Sequence, residues 1–346
     1  MKKNKVFIVV LSVVMIVCFS NIGVFAKQTE IINGGYNITT SVGAEKQIIR
    51  VFERNIDNAL TTQSLVVSEK ENDYSEIKSI LLELGMEQYA IDNLTVKDLE
   101  RLSISPKIVT SVSYSKVDSK NNLTYLNESV AVKEADAINK RQESYKNNII
   151  NGVQPLQQGT TEDSYMRVFY MVTYHWNESY TFSTDARWLT MPFFRGKDVI
   201  GSVAQNCTVT PNTGSGYVEY DWSLATLAGV DEYSEKINMK SSQFQNTVNG
   251  SFYGSGAIID LPNDAHSDKM STTFRNYKAH YQYDGHINNP SSPQWFNTTG
   301  SYCHSTMKLS VNPSITISLT GVSGSLGLSG VGGSDVRKVD LEIHYT

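Results

Sequence analysis

The chain has 346 residues and a formal net charge of -5, a length that suits one large domain or two ordinary ones. Hydrophobic residues make up 40% of the chain and charged residues 19%, so we expect most of it to fold. The acidic balance argues against nucleic acid as a partner, and three cysteines are too few for a disulfide-dense scaffold or a four-cysteine zinc site. The sequence contains none of the common motifs of hydrolases, zinc proteases or nucleotide-binding enzymes. It therefore favours a protein without catalysis and without a cofactor.

The first 26 residues have the pattern of a signal peptide. Three lysines precede an apolar run over residues 6–17, and a Val-Phe-Ala sequence ends at Ala26. This order predicts cleavage after Ala26, the alternative being an uncleaved membrane anchor. No later segment is long and apolar enough to be predicted as a transmembrane helix. We therefore expect a secreted protein, extracellular or associated with the cell wall.

Residues 27–146 are predicted to form a small, mostly helical N-terminal domain, which would be a propeptide if it were removed. Apolar residues at helical spacing predict one helix over residues 74–84, and Thr95 begins a second that ends before Pro106. Alternation predicts a strand over 108–114 with a return strand over 123–126, and a charged helix follows over 129–146.

A change in composition predicts a domain boundary at residues 147–163. All four tryptophans and all six histidines lie at or after residue 175, and the boundary segment itself is polar and rich in turn-forming residues. We therefore interpret 147–163 as a linker and 164–346 as a second domain.

Residues 164–346 are predicted to be all-β. Aromatic and β-branched runs separated by turn residues predict about nine strands, and no alternation of strands with helices indicates a parallel sheet. The predicted strands cover residues 165–176, 180–191, 199–210, 217–222, 247–259, 273–283, 301–311, 314–322 and 336–345. The predicted fold class is therefore α+β: a small helical N-terminal domain followed by an antiparallel, sandwich-like C-terminal domain.

The segment 279–286 contains the best local cluster of polar side chains. On one unbroken strand, His280, Gln282, Asp284 and His286 would share a face and could form a binding surface or hold a divalent metal. However, Asp284 followed by Gly285 is a strong hairpin signal, which favours a turn with solvated histidines. We keep His280 and His286 as candidate ligand-binding residues and predict no metal.

Aromatic residues supply the second candidate site. Trp295 follows a loop-like segment over residues 289–293, so its indole is predicted to be exposed, with Tyr302 nearby. Exposed aromatic rings stack on sugars or dock against proteins, whereas the alternative is that these rings fill the sandwich core.

Two cysteines, Cys207 and Cys303, remain after removal of the signal peptide. In an oxidising compartment we expect them to form one disulfide. The alternatives are two inert thiols or a nucleophilic Cys303 beside His304, although neighbours on a strand point to opposite faces.

Two stretches resemble secreted proteins of Gram-positive bacteria to which no function is assigned. These are LLELGM with IDNLTVKDLERL at residues 81–86 and 91–102, and RWLTMPFFRGKDVIG at 187–201. The resemblance implies secretion and a bacterial source, and it implies no activity.

The sequence as a whole favours a non-enzymatic binding protein of the cell surface or extracellular space, with a cell-wall glycan or a surface protein as ligand. One alternative is a secreted hydrolase that uses carboxylates such as Asp260 or Asp284. Another is a bacteriocin-like or pore-forming protein, because Ser and Thr alternate with apolar residues over 314–319 before a glycine-rich stretch.

Overall fold

The computed structural model describes most of the chain. The described residues are 28–32, 36–54, 74–150, 163–192, 195–226, 228–266, 270–288, 295–306, 314–320, 323–329 and 333–344. The predicted signal peptide and most of the predicted linker lie outside these ranges, so both stay predictions.

The described chain is mostly antiparallel β-structure, with 63% of residues in strands and 18% in helices. The helices are α1 (Ser75–Glu83), α2 (Gln88–Asp92), α3 (Val96–Ile104) and α4 (Glu128–Ile150). The strands are β1 (Gln28–Ile32), β2 (Tyr36–Val42), β3 (Ile48–Arg54), β4 (Lys107–Val117), β5 (Leu123–Leu126), β6 (Ser164–His175), β7 (Ser179–Trp188), β8 (Lys197–Gln205), β9 (Cys207–Val209), β10 (Ser215–Thr226), β11 (Gly229–Asn238), β12 (Phe244–Asn249), β13 (Phe252–Asp260), β14 (Ala265–His266), β15 (Met270–Ile287), β16 (Trp295–Ser305), β17 (Ile315–Thr320), β18 (Ser323–Leu328) and β19 (Ser334–His344).

The largest sheet, sheet A, joins the two halves of the chain. Its strand order is β1-β2-β3-β4-β6-β7-β15-β10-β11, with β5, β9 and β14 pairing beside this path. The central pairing of β4 with β6 runs from Lys107 opposite Tyr174 to Val117 opposite Ser164. Because this ladder makes the N-terminal strands part of the main sheet, the predicted separate helical N-terminal domain, and with it the α+β fold class, is wrong.

Sheet B packs against one face of sheet A, so the predicted sandwich-like arrangement is confirmed. Its order is β12-β13-β8-β16-β19. Alternate residues of each strand meet between the sheets, as Val168 and Tyr170 of β6 do with Ile200 of β8 and Val339 of β19. The result is a core rich in aromatic rings.

The helices cover the opposite face of sheet A. The apolar residues of α1, including Ile77 and Ile80, pack with Phe52 of β3 and Phe169 of β6 in a second core. Thr95 caps α3 through a reciprocal capping box with Asp98, as its spacing predicts. No helix among the described residues is long and apolar enough to cross a membrane.

A two-stranded hairpin, β17–β18, covers the outer face of sheet B. Its apolar side chains pack over Val203 and Cys303 in a third core. Leu326 of the hairpin lies so close to sheet B that a Cβ at Gly201 or Gly256 would be 2.8 Å from its Cδ1 atom. Side-chain packing, rather than a shared ladder, therefore holds most of this hairpin in place.

Candidate functional site

Strand β15 carries the predicted histidine cluster, and it runs unbroken from Met270 to Ile287. The turn expected at Asp284 and Gly285 is therefore not formed. Gly285 instead lets Cys207 pack closely against the strand, since a Cβ at this position would lie 2.6 Å from the Cys207 Sγ atom. On the unbroken strand, His280 and Asp284 lie on the face of sheet A that the helices cover.

His280 forms a buried pair with Asp185 of β7. Its Nδ1 atom is 2.9 Å from Asp185 Oδ1, and its ring stacks on Tyr217 with centroids 5.1 Å apart. Burial lowers the pKa of His280, but Asp185, with Asp98 and Gln282 adding to its effect, raises it, and the net pKa lies above its ordinary value. The pair is therefore a buried, hydrogen-bonded contact beneath the helices.

Asp284 and Gln282 attach α3 to the sheet. Both Nη atoms of Arg101 donate to the Asp284 carboxylate at 3.2 and 3.1 Å, and Thr181 donates to it at 2.7 Å. Gln282 donates to Asp98 at 3.2 Å. These charge-assisted contacts add to the packing of Leu99 and Leu102 of α3 in the second core.

A cavity of about 20 Å³ lies between α3 and the sheet, beside His175. This volume accommodates about one water molecule and no sugar ring. Burial, with Arg101 adding to its effect, lowers the pKa of His175 to about 4. We therefore interpret the polar layer under α3 as a structural layer that holds helix and sheet together.

Several buried polar atoms in this layer have no hydrogen-bond partner within the described structure. They are Asp185 Oδ2, Ser183 Oγ, Thr173 Oγ1 and Tyr89 Oη. Such atoms bind internal water when room allows. No group of three or more His, Cys, Asp or Glu side chains among the described residues is placed to hold a metal ion.

The other predicted ligand-binding residues are separated. The side chain of His286 is 56% exposed, and its Nε2 atom lies 3.9 Å from Glu178. Trp295 is half-buried at the start of β16, whereas Tyr302 is fully buried. Seven positions apart on one strand, Trp295 and Tyr302 point to opposite faces of sheet B, so they do not form one recognition surface.

Tyr302 belongs to a buried polar cluster around Asp198. This carboxylate accepts hydrogen bonds from the Tyr302 hydroxyl at 2.6 Å and the Ser305 backbone N–H at 3.2 Å, and it pairs with His304 Nδ1 at 3.0 Å. Burial lowers the pKa of His304, but Asp198, with Asp335 adding to its effect, raises it, and the net pKa lies above its ordinary value. The cluster closes one end of the inter-sheet core.

The two cysteines lie on opposite sides of sheet B, and the structure contains no disulfide between them. Cys207 is part of the inter-sheet core, whereas Cys303 lies beneath the β17–β18 hairpin. Burial raises the pKa of each thiol to about 12. Thiols with such a high pKa are poor nucleophiles, so the two inert thiols of the alternative interpretation fit this structure best.

Strand β11 lies at an edge of sheet A and is exposed along its whole length. All ten of its residues are exposed, and within the described chain it pairs only with β10. Val230, Tyr233 and Ile237 are each 43% exposed, and Tyr233 stacks on Trp222 of β10 with ring centroids 4.2 Å apart. We take β11 as the candidate binding surface.

The main-chain groups of β11 point outward at alternate positions. Just beyond its end, the Met239 N–H donates to the Gly216 carbonyl at 2.9 Å, so odd-numbered residues face β10. The register to β10 is unshifted along the whole strand. Even-numbered residues, including Ser234, therefore direct their N–H and C=O groups away from sheet A.

The sequence did not predict β11. A strand exposed on both faces has no reason to alternate apolar and polar residues, and GVDEYSEKIN shows no such alternation. The signal that could have predicted β11 is the strong strand pattern at Tyr217–Trp222, because such a strand needs a neighbouring strand to pair with.

Comparisons with known proteins identify no family. No protein-family model matches the chain, and no curated protein matches it. A solved structure with some similarity is that of AvmM, described as catalysing macrocyclization in alchivemycin A biosynthesis. The match has 6% sequence identity and a TM-score of 0.24, and it covers 49% of this chain and 82% of AvmM. At that score it carries no conclusion about this chain.

Proposed function

We propose that the protein is a secreted, non-enzymatic binding protein that holds an extended segment of a protein ligand against β11. The observation that carries this proposal is the exposure of all ten β11 residues on a strand paired along one edge. An edge strand presents a row of unpaired N–H and C=O groups, and an incoming strand can satisfy them.

The side chains of β11 support a protein ligand over a glycan. Sugar rings bind on free aromatic faces, but Tyr233 covers one face of Trp222. The half-exposed Tyr233 and Ile237 lie on the same side of the strand, four positions apart. A ligand segment that adds to the sheet as a strand could place alternate side chains against Tyr233 and Ile237.

The polar layer under α3 gives little support to a hydrolase. A general acid or base must reach the substrate within hydrogen-bond distance. The His280–Asp185 pair is buried, and the neighbouring cavity of about 20 Å³ holds only water. Binding at an exposed edge therefore fits the described residues better than hydrolysis there.

The test compares Ser234→Pro with Ser234→Ala. Proline removes the outward N–H without breaking the ladder to β10, whereas alanine keeps that N–H. Both changes remove the hydrogen bond that the Ser234 hydroxyl donates to Asp221 at 2.6 Å, so they are matched. Each immobilised variant is incubated with protein-free peptidoglycan and, separately, with surface proteins extracted from Gram-positive cells.

We expect the wild type and Ser234→Ala to retain a surface protein and Ser234→Pro to retain about tenfold less. Equal retention by all three variants would reject the β11 edge as the binding site. Retention of peptidoglycan rather than protein would identify a glycan ligand instead.

A further inference from the structure

We infer that, when no surface protein occupies its edge, β11 pairs with β11 of a second copy of this chain, edge to edge and in antiparallel orientation. This inference rests on the proposed function, because it uses the same edge of β11, for which the two partners compete. Antiparallel pairing of identical strands is self-complementary about a two-fold axis.

The direction of the main-chain groups limits the registers. Since even-numbered residues of β11 point outward, a regular ladder must place even residues opposite even residues of the second copy. The two strands can then be centred on any one residue, and each choice fixes which side chains face each other.

Charge selects one of these registers. Centring on residue 231, 232, 235 or 236 sets a charged side chain opposite its own copy, and centring on Tyr233 sets Asp231 opposite Glu235. Centring on Ser234 opposes no like charges and sets Glu232 opposite Lys236 twice. Registers centred nearer either end pair fewer than half of the ten residues.

Both side chains of the Glu232–Lys236 pair already have contacts within the chain. Lys236 donates one N–H to Asn93 Oδ1 at 2.5 Å and lies over the Tyr217 ring at 4.5 Å, and the second copy's Glu232 would compete with these contacts for its ammonium group. Glu232 is paired with Arg275 at 2.7 Å, but its side chain is 62% exposed, which leaves it accessible to Lys236 of the second copy. On the other side of the sheet, Tyr233 would lie diagonal to Ile237 of the second copy, within reach of an aromatic ring. Two half-exposed apolar side chains would thereby cover each other.

Cross-linking tests the register. With Ser234 opposite Ser234, the two Cα atoms lie about 5.5 Å apart, which suits a disulfide. Mild oxidation of Ser234→Cys should give a covalent dimer on a non-reducing gel, while Glu232→Cys should not. Cys207 and Cys303 are buried, so background cross-linking through them should be low.

Charge reversal tests the interface without an introduced thiol. Sedimentation equilibrium of the wild-type chain should show a dimer that forms with rising concentration. Glu232→Lys places a lysine opposite Lys236 of the second copy at both symmetric positions, so it should weaken association about tenfold or more. The double variant Glu232→Lys with Lys236→Glu restores opposite charges and should restore association. Thermal melts show whether each variant is folded.

The outcomes separate this inference from the proposed function. A chain that stays monomeric at every concentration, with no Ser234→Cys dimer, overturns the self-pairing even if Ser234→Pro still abolishes capture of a surface protein. Cross-linking through Glu232→Cys in place of Ser234→Cys overturns the register. If Ser234→Pro retains as much surface protein as the wild type, the proposed function is wrong. A dimer that Glu232→Lys weakens and the double variant restores supports self-pairing.

Discussion

Arg101 and Asp284 form a bidentate ion pair although 183 positions separate them in the chain. The pair fastens α3, from the N-terminal third, to β15. Both side chains are partly exposed, at 31% and 23%, so solvent screens part of their attraction.

The first prediction concerns this pair. We expect Arg101→Ala or Asp284→Ala to lower the free energy of unfolding by about 1–2 kcal/mol, between the values for exposed pairs and for buried charged hydrogen bonds. Urea unfolding of both single variants and the double variant measures the coupling. If the two losses of unfolding free energy add in the double variant, the coupling energy between Arg101 and Asp284 is zero and the prediction is wrong.

The second prediction is a pH dependence from His175. Because its pKa falls from 6.5 to about 4 on folding, the unfolded chain binds the proton more tightly. The neutral ring therefore contributes stability that is present above pH 6.5 and is lost as the pH falls toward 4. We expect His175→Gln to reduce the decline in stability between these pH values, measured by urea unfolding. If the unfolding free energies of His175→Gln and the wild type differ by the same amount at every pH, the prediction is wrong.

The third prediction concerns Asp198, which is fully buried. We expect Asp198→Asn to cost about 3–5 kcal/mol at pH 6, because His304 and two other donors lose a charged acceptor. The pKa of His304 is raised on folding, so this contribution is present below its ordinary pKa and is lost as the pH rises through the raised value. The cost of Asp198→Asn should therefore shrink as the pH rises through the raised pKa of His304.

Asp264 provides the matched control for that measurement. It accepts hydrogen bonds from Arg195 at 2.7 and 3.0 Å, and arginine keeps its charge across this pH range. Asp264→Asn should therefore cost the same at pH 6 and pH 9. A pH-independent cost for both variants would show that His304 does not titrate with folding.

The fourth prediction uses the two thiols as reporters of local opening. Cys303 lies beneath the β17–β18 hairpin and Cys207 in the inter-sheet core, so we expect neither to react with a thiol reagent in the native wild type. Leu326→Ala removes the side chain that fills the contact above Gly201 and should cost about 2–5 kcal/mol. Labelling followed by mass spectrometry should then find Cys303 modified faster than Cys207. Equal rates would mean that the hairpin opens only with the whole domain.

Local elements were predictable from the sequence where their side chains face a core. The apolar spacing of Ile77, Ile80 and Leu81 identified α1, and Leu123–Leu126 was placed correctly as β5. Strands β6 and β7, buried on both faces, were also found, because continuous aromatic and β-branched runs are typical of such strands.

The arrangement of these elements was not predictable. The composition change before residue 164 suggested two domains, but composition does not encode which strands pair, and β4 pairs with β6 across it. The hairpin signal at Asp284 and Gly285 failed because ladders to β7 and β9 fix β15 there in an extended form. The shared face of His280 and Asp284 was one alternative that the residue spacing predicted, but the spacing did not predict the helix that covers this face.

The long-range ladders of sheets A and B also constrain when the chain can fold. Strand β7 pairs with β15, and β16 pairs with β19, whose Val339 and Leu341 belong to the inter-sheet core. Contacts between distant segments slow folding, because each requires a large loop to close first. The inter-sheet core is therefore complete only when β19, the last strand of the described chain, has paired with β16.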